Sequence, residues 1–208
     1  MTSSLVGSEM CIRDRNNNYS VGNIQPEWND GMAQTLTFIV TEDCNLRCKY
    51  CYVTHKSKNK VMKLETAIKF IDYILEDTKF IKSEAVILDF IGGEPLLEAS
   101  LIDQICDYFK TKTYKLRNQW YWNYKISIST NGVNYSDPCV QNLILKNEGK
   151  ISIGITIDGI KEKHDLQRVF PDGSGSYDIV YNNVKLWLEQ FEGSTKAVSY
   201  THLRAHET

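Results

Sequence analysis

Three cysteines in one short stretch are the residues of this chain most suited to metal chemistry. Cys44, Cys48 and Cys51 have the spacing C-x3-C-x2-C within the segment TEDCNLRCKYCY. Three thiolates can bind three irons of a four-iron, four-sulfur cluster, which leaves the fourth iron open for another ligand. His55 follows the last cysteine with C-x3-H spacing, and zinc accepts a set of three cysteines and one histidine. The spacing alone therefore indicates a metal site and leaves both metals open.

The other cysteines do not extend this motif. Of the 6 cysteines, Cys11, Cys106 and Cys139 stand alone in the sequence. A disulfide framework would be more evenly spaced, and a chain of 208 residues does not need one. We therefore expect a reducing, cytoplasmic setting. Cys106 lies on an apolar helical stripe and is expected in the core, whereas Cys139 carries no predicted role.

Two further short motifs could hold a polar ligand. The segment 92–95 reads GGEP, and the segment 129–132 reads STNG. Paired glycines allow the backbone to approach a ligand closely, and the carboxylate of Glu94 can accept hydrogen bonds from an ammonium group. Each motif on its own is an ordinary turn. Both, however, lie at the carboxyl end of a predicted strand, where α/β barrels place their active sites.

Apolar strands alternate with helical patterns from residue 35 onward. The β-branched stretches 35–41, 85–91, 125–130 and 151–157 are predicted strands, and helical apolar patterns cover 64–75, 101–109 and 180–188. A third helix is predicted to open at Ser136-Asp137-Pro138, because a capping residue precedes a proline. Four strand–helix units in series favour a parallel α/β sheet.

The predicted strands are apolar on one face only. Isoleucines 151, 153, 155 and 157, for example, alternate with Ser152, Gly154, Thr156 and Asp158. Because successive strand side chains point to opposite faces, one face suits helices and the other is small and polar. An ordinary eight-stranded barrel fills its interior with bulky apolar layers, so this pattern predicts an open or partial barrel with a polar lumen. Asp89 shares a strand face with Ile87 and Ile91, and a carboxylate there indicates a cofactor or substrate contact.

The motifs in this order resemble the radical S-adenosylmethionine (SAM) superfamily. CNLRCKYC is similar to its cysteine motif, and GGEP and STNG are similar to its second and third ligand-binding segments. The region of Ile157-Asp158-Gly159 with His164 and Arg168 resembles the branch that modifies proteins and peptides. Within that branch, the chain looks most like maturases that form thioether crosslinks in ribosomally made peptides, alongside the anaerobic sulfatase-maturing enzymes. The resemblance covers about residues 35–191.

The resemblance implies a set of cofactor ligands. Cys44, Cys48 and Cys51 would ligate the four-iron, four-sulfur cluster, and His55 would stay free. The residues implied to contact SAM are Tyr50, Gly92, Gly93, Glu94, Ser129, Asn131 and Arg168. Tyr50 would lie near the adenine, and Arg168 would pair with the carboxylate, which suits a guanidinium. The implied partners are a peptide substrate and an electron donor such as flavodoxin or ferredoxin. A radical SAM enzyme for a small molecule and a zinc-stabilised binding module remain the alternatives.

Composition and the two ends of the chain complete the sequence picture. The net charge of −2 gives no electrostatic reason to expect nucleic acid or an anionic membrane as a partner. Residues 5–15 (LVGSEMCIRDR) and 198–208 (VSYTHLRAHET) resemble a translated sequencing adaptor. We therefore expect tails at 1–15 and 197–208 that pack poorly, a lead-in segment at 16–34, and a barrel core at 35–196 truncated after about four strand–helix units.

Overall fold

A parallel sheet forms the centre of the molecule. The computed structural model describes residues 11–13, 19–21, 33–191 and 200–202. The sheet contains, in spatial order, β3 (Gln34–Thr41), β4 (Val86–Gly92), β5 (Tyr124–Thr130), β6 (Ile151–Ile157) and β7 (Tyr200–His202). Every neighbouring pair in it is parallel. The predicted parallel strands in sequential order are therefore confirmed.

Helices connect the parallel strands, as such strands require a crossover. The helices are α1 (Leu64–Glu76), α2 (Ala99–Lys115), α3 (Pro138–Lys146), α4 (Lys161–Gln167) and α5 (Tyr177–Phe191). Four of them match the predicted helical patterns. The short helix α4 was not predicted, because its sequence KEKHDLQ buries only His164 and shows no apolar period.

The core lies between one face of the sheet and the helices. Leu36, Phe38 and Val40 of β3 are buried there, whereas Thr35 and Thr37 on the opposite face are exposed. The same alternation holds along β5 and β6. The predicted contrast between an apolar helix face and a small, polar face holds for β5 and β6, whereas the second face of β3 and β4 also carries Ile39, Ile87 and Ile91. We call this second face the open face. With its alternating strands and helices, the chain forms part of a (β/α) barrel.

The third helix begins where its capping signal places it. Asp137 is the N-cap of α3, and its side chain accepts a hydrogen bond of 2.8 Å from the backbone nitrogen of Cys139. Pro138 occupies the first helical turn, where its missing N–H is not needed. This local signal needs no tertiary contact, and it fixes the turn that follows the STNG segment.

The ends of the chain are described only in part. Strands β1 (Cys11–Arg13) and β2 (Tyr19–Val21) form an antiparallel pair. The backbone of β7 pairs with β6, although it falls within the expected tail at 197–208. The edge of a sheet offers unpaired backbone groups to any extended segment, whatever its sequence. Leu203 and most of both tails lie outside the described residues, so their poor packing stays a prediction.

Candidate cofactor-binding site

The cysteine motif forms a loop at the carboxyl end of β3. Leu46 is fully buried and anchors the loop in the core, and its backbone nitrogen lies 3.4 Å from the Sγ atom of Cys44. On the other side, the backbone nitrogen of Arg47 donates to the carbonyl of Val169 at 2.6 Å. The loop is therefore held both by the core and by the chain that follows α4.

The end of β4 packs directly against this loop. The backbone nitrogen of Gly93 donates to the carbonyl of Thr41 at 2.8 Å, and that of Glu94 donates to the carbonyl of Asp43 at 2.8 Å. A Cβ atom added to Gly93 would lie 2.1 Å from the carbonyl oxygen of Asp43. The glycine thus permits a close approach of two backbones. The sequence interpretation had assigned that close approach to a ligand.

Glu94 links three segments from a buried position. Its Oε1 accepts hydrogen bonds from the backbone nitrogen of Leu96 at 3.0 Å and from the hydroxyl of Thr130 at 2.6 Å. Its Oε2 accepts one from the backbone nitrogen of Asn131 at 2.8 Å. Burial raises the pKa of this carboxyl, and the three donors partly offset that effect. Since a carboxylate offers about four acceptor sites, one stays available for a further donor such as an ammonium group.

Asn131 connects the end of β5 to the cysteine loop. Its Nδ2 donates to the Oδ1 of Asn45 at 2.7 Å and lies 3.6 Å from the Sγ of Cys44. Its Oδ1 accepts a hydrogen bond from the backbone nitrogen of Val133 at 2.9 Å. The side chain is therefore occupied in positioning the loop. Ser129, two residues earlier, is exposed on the open face.

A third group of polar residues lies beyond β6. The hydroxyl of Tyr50 donates to the Oδ2 of Asp158 at 2.7 Å, and the Nη1 of Arg168 donates to that hydroxyl at 2.5 Å. Arg168 and Asp158 are both buried, and the Nη1 of Arg168 lies 3.8 Å from the Oδ1 of Asp158. Although the Tyr50 residue is 55% exposed, burial of its hydroxyl and the bond to Asp158 raise its pKa to about 12.

Two atoms of this group make no hydrogen bond, although one of them, the Oδ1 of Asp158, lies 3.8 Å from the Nη1 of Arg168 in the ion pair. The Oδ1 of Asp158 and the Nε of Arg168 are buried without a hydrogen bond within the described part of the chain. Buried polar atoms of this kind are rare and call for an explanation, such as an absent ion or ligand. An acceptor group beside Arg168 and a donor beside Asp158 would satisfy them. The carboxylate that the resemblance assigns to Arg168 fits the first of these needs.

His164 supports this group through hydrogen bonds. Its Nδ1 accepts a hydrogen bond of 3.1 Å from the backbone nitrogen of Asp158, and its Nε2 lies 3.0 Å from the hydroxyl of Ser176. That hydroxyl donates to the carbonyl of Arg168 at 2.7 Å, so it accepts from Nε2. A neutral imidazole protonated on Nε2 satisfies both contacts. His164 therefore positions Asp158 and Arg168 together.

The three thiols share one loop at the carboxyl end of β3. Cys44, Cys48 and Cys51 are free, and no three His, Cys, Asp or Glu side chains among the described residues could hold one ion. In a four-iron cluster each cysteine binds a different iron, so the thiolates are more widely spaced. Burial raises the pKa of Cys44 and Cys48, and the charge of Arg168 partly counteracts this at Cys48. The donor set fits a cluster, and His55 is exposed.

The sequence analysis assigned no contact to several residues near the site. Asp158 partners Tyr50 and Arg168, Asn45 partners Asn131, and the Nζ of Lys56 donates to the Sγ of Cys51 at 3.2 Å. Asp158 directly follows a strand within a motif already noted, so its position at a strand end was an available signal. Asn45 and Lys56 carried no such signal, because polar loop residues are common.

Cys106 and Cys139 lie on helices, and Trp120 and Trp122 lie before β5. Cys106 is fully buried in α2, as predicted, and burial raises its pKa to about 12. Cys139 is exposed on α3. Trp120 is buried, with its Nε1 donating to the carbonyl of Ser83 at 2.8 Å, while the neighbouring Trp122 is 72% exposed.

Comparison with known proteins agrees with this architecture. The family model of the radical SAM superfamily matches residues 38–203, so the chain belongs to the radical SAM superfamily. Members of this superfamily use a four-iron, four-sulfur cluster and SAM. No helix in the described ranges is long and apolar enough to cross a membrane.

Individual relatives are similar over part of their length. The chain is 37% identical over 147 residues to an uncharacterized protein of Methanocaldococcus jannaschii, which covers 71% of this chain and 46% of that protein. It is 29% identical over 149 residues to a cysteine-type anaerobic sulfatase-maturating enzyme of Clostridium novyi, covering 70% and 38%. A structure of native anSMEcpe with bound AdoMet and Kp18Cys peptide has a TM-score of 0.64 at 22% identity, covering 81% and 42%. The chain spans less than half the length of these relatives.

Proposed function

We propose that this chain carries the cofactor-binding half of a radical SAM enzyme that modifies a ribosomally made peptide, forming a thioether crosslink. The observation that carries the proposal is the meeting of four strand ends at one edge of the sheet. The cysteine loop lies there beside Glu94, Asn131 and the Asp158–Arg168 pair. The chemistry that the cofactors supply is reductive cleavage of SAM to a 5′-deoxyadenosyl radical, which takes a hydrogen atom from the substrate.

The protein's own residues bind and orient the cofactors. In this proposal Cys44, Cys48 and Cys51 are the only cluster ligands from the chain. The contacts to SAM are Tyr50, Gly92, Gly93, Glu94, Ser129, Asn131 and Arg168. The unpartnered Nε of Arg168 supports its role toward a carboxylate. The side-chain amide of Asn131 already donates to Asn45, so its contribution is to fix the cysteine loop.

A peptide substrate is favoured by the relatives. The sulfatase-maturating enzyme of Clostridium novyi is similar in sequence, and anSMEcpe shares the fold and has been solved with a peptide. The order of motifs from the cysteines to Arg168 supports the same branch. An electron donor such as flavodoxin or ferredoxin would reduce the cluster.

The metal assignment is tested by substitution of single ligands. After anaerobic reconstitution with iron and sulfide, the chain should show brown cluster absorbance and cleave SAM to 5′-deoxyadenosine. Replacing Cys44, Cys48 or Cys51 with Ala should remove both properties. The matched controls His55→Ala, Cys106→Ala and Cys139→Ala should keep the iron content of the parent chain. Loss of metal in His55→Ala, together with bound zinc, would establish the binding-module alternative.

The substrate class is tested separately. Cysteine-containing peptides encoded beside the gene for this chain are incubated anaerobically with the reconstituted protein and SAM, and analysed by mass spectrometry. Within a single turnover, we expect 5′-deoxyadenosine together with some peptide that is lighter by its lost hydrogens and whose cysteine resists alkylation. Cleavage of SAM without any modified peptide, but with a modified small metabolite, would favour the small-molecule alternative.

A further inference from the structure

A row of polar side chains crosses the open face of the sheet. Thr37 of β3 pairs in register with Asp89 of β4, Asp89 with Ser127 of β5, and Ser127 with Ser152 of β6. Side chains in register on parallel strands lie on the same face. The helices cover the other face, where Leu88 and Phe90 are fully buried. The row is therefore turned away from the core, toward the side where a barrel has its lumen.

Asp89 is the charged member of this row, and its partners are hydroxyls. Thr37 donates to its Oδ2 at 3.5 Å, and Ser127 is the second hydrogen-bond partner. Burial raises the pKa of this carboxyl, and the two hydroxyls only partly offset the effect. Lys125 lies on the same face of β5, but its Nζ donates to the carbonyl of Gly149 at 3.1 Å. Among the described residues, the hydrogen-bond donors to this half-buried carboxylate are neutral, and a cation beside it would offset the cost of its partial burial.

The position of Asp89 relative to the cysteine loop suits a substrate contact. It lies three residues before Gly92, which is about 10 Å along the strand from the edge that holds the cofactor-binding residues. Ser127 and Ser152 lie in register beside it and add polar side chains to the same face. A molecule on the open face could therefore present one carbon to that edge and a second group to Asp89.

We propose that Asp89 is a specificity-determining residue that binds a cationic nitrogen of the substrate, an alkylammonium or a guanidinium. This inference rests on the proposed function, a radical SAM enzyme with its cofactors at the edge of the sheet, and adds that the substrate occupies the open face. In a peptide, the group is a lysine or arginine side chain. In a small molecule, it is an amine. The flanking hydroxyls of Thr37 and Ser127 orient the carboxylate and would stay bonded to it when the cation binds.

The test compares charged and neutral probes of the same shape. Binding of n-pentylamine and n-pentanol to the reconstituted chain with SAM is measured by ligand-observed NMR. The amine should bind about tenfold more tightly, the equivalent of about 1.4 kcal/mol. In Asp89→Asn the ratio should fall to about one, because the amide keeps its hydroxyl partners but carries no charge. The matched control Glu84→Gln, an exposed carboxylate just before the same strand, should keep the preference.

A second pair of probes separates a peptide from a small molecule. Short cysteine-containing peptides with lysine or with norleucine are compared in the same assay. A preference for the lysine peptide that Asp89→Asn removes places the cation on a peptide, whereas a preference limited to the free amine places it on a small molecule. Equal binding of the amine and the alcohol to the parent chain overturns the inference. So does an unchanged preference in Asp89→Asn, which leaves Asp89 a structural role. The proposed function fails independently, if no peptide is modified while the amine preference holds.

Discussion

At the scale of single residues, the site is held together by side chains that bridge distant parts of the sequence. Tyr50 reaches Asp158, and Asp158 is held by His164, which in turn reaches Ser176. Each bond in this chain is buried or half-buried, where hydrogen bonds are strong and lost partners are costly. The unpartnered atoms of Asp158 and Arg168 are therefore exceptions within an otherwise satisfied network.

The neutral form of His164 should make the fold sensitive to acid. Burial first, and then the charge of Arg168, lower the pKa of His164. The imidazole of His164 binds a proton more readily in the unfolded chain than in the folded one. Its contribution to the free energy of unfolding is therefore complete above about pH 6.5 and is lost as the pH falls below that value. We expect the melting temperature of the parent chain to drop between about pH 7.5 and about pH 5, and the drop to be smaller in His164→Gln.

The control for this prediction is the exposed histidine of the cysteine loop. His55→Gln removes an imidazole without touching the network. It should show the same acid-induced drop as the parent chain, measured by circular dichroism at each pH. An equal drop in His164→Gln and the parent would show that the carboxyl groups, and not His164, set the acid response.

Lys56 should raise the reduction potential of the cluster. Its Nζ donates to the Sγ of Cys51 at 3.2 Å and to the carbonyl of Val53 at 3.1 Å. A cation and a hydrogen bond at a ligand sulfur favour the reduced cluster, which carries more negative charge. Lys56→Met should therefore shift the reduction potential of the reconstituted chain to a more negative value, as measured by an EPR-monitored redox titration. The exposed Lys58→Met should leave the potential at the parent value, and a shift of equal size there would remove the assignment.

At the scale of elements, the cysteine loop depends on the end of the neighbouring strand. The turn after β4 donates one backbone hydrogen bond from Gly93 to Thr41 at the end of β3, and one from Glu94 to Asp43 in the loop. The side chain of Glu94 then connects to Thr130 and Asn131 at the end of β5. The ends of three adjacent strands thus form one connected unit, and the positions of the thiols depend on how closely the strands approach.

Adding one methyl group at Gly93 should disturb this unit. In Gly93→Ala the Cβ would lie 2.1 Å from the carbonyl oxygen of Asp43, so one of the two backbones must move. We expect a loss of about 2 kcal/mol in the free energy of unfolding, measured by chemical denaturation. Iron bound per chain after reconstitution should also fall.

Gly173→Ala is the matched control for a glycine replacement. Gly173 has a φ of +85°, and a Cβ there meets no atom within 4 Å. The cost of Gly173→Ala is therefore conformational, about 1 kcal/mol, and its iron content should equal that of the parent. If Gly93→Ala binds as much iron as Gly173→Ala, the close approach of the two backbones is not what positions the thiols.

At the scale of the whole molecule, the open face governs what the chain can do. Thr35, Thr37 and Ser129 on this face are exposed, and Ile39 is 56% exposed. An accessible face admits water, which weakens electrostatic interactions and lets reactive intermediates escape. A fold that binds the cofactors therefore does not by that alone protect a radical from water.

We predict that this 208-residue chain does not modify a peptide in repeated turnovers. The reconstituted chain should release 5′-deoxyadenosine in excess over any modified peptide, because the open face does not exclude water from the reacting atoms. Quantifying both products by mass spectrometry over time checks this. Several modified peptides per chain, formed in step with 5′-deoxyadenosine, would refute it.

The sequence by itself determined the strands, their faces and the ends at which the motifs lie. Alternation along Ile151–Ile157 and the Asp137 cap are local signals, and local geometry is enough to read them. The cysteine, GGEP and STNG segments each lie at the end of an apolar strand in the sequence, so their location at strand ends requires no knowledge of tertiary contacts. Parallel pairing then brought those ends to one edge.

Only the tertiary structure decided which side chains meet. Tyr50 and Asp158 are 108 residues apart in sequence, and Asn131 and Asn45 are 86 apart. No periodicity predicts such pairs, because they depend on how closely neighbouring strand ends approach and on loops that the core holds in place. Helix α4 belongs to the same class, since it depends on the burial of His164 and not on an apolar stripe. Contacts between distant residues depend on tertiary packing, and the apolar pattern of a single strand carries no information about them.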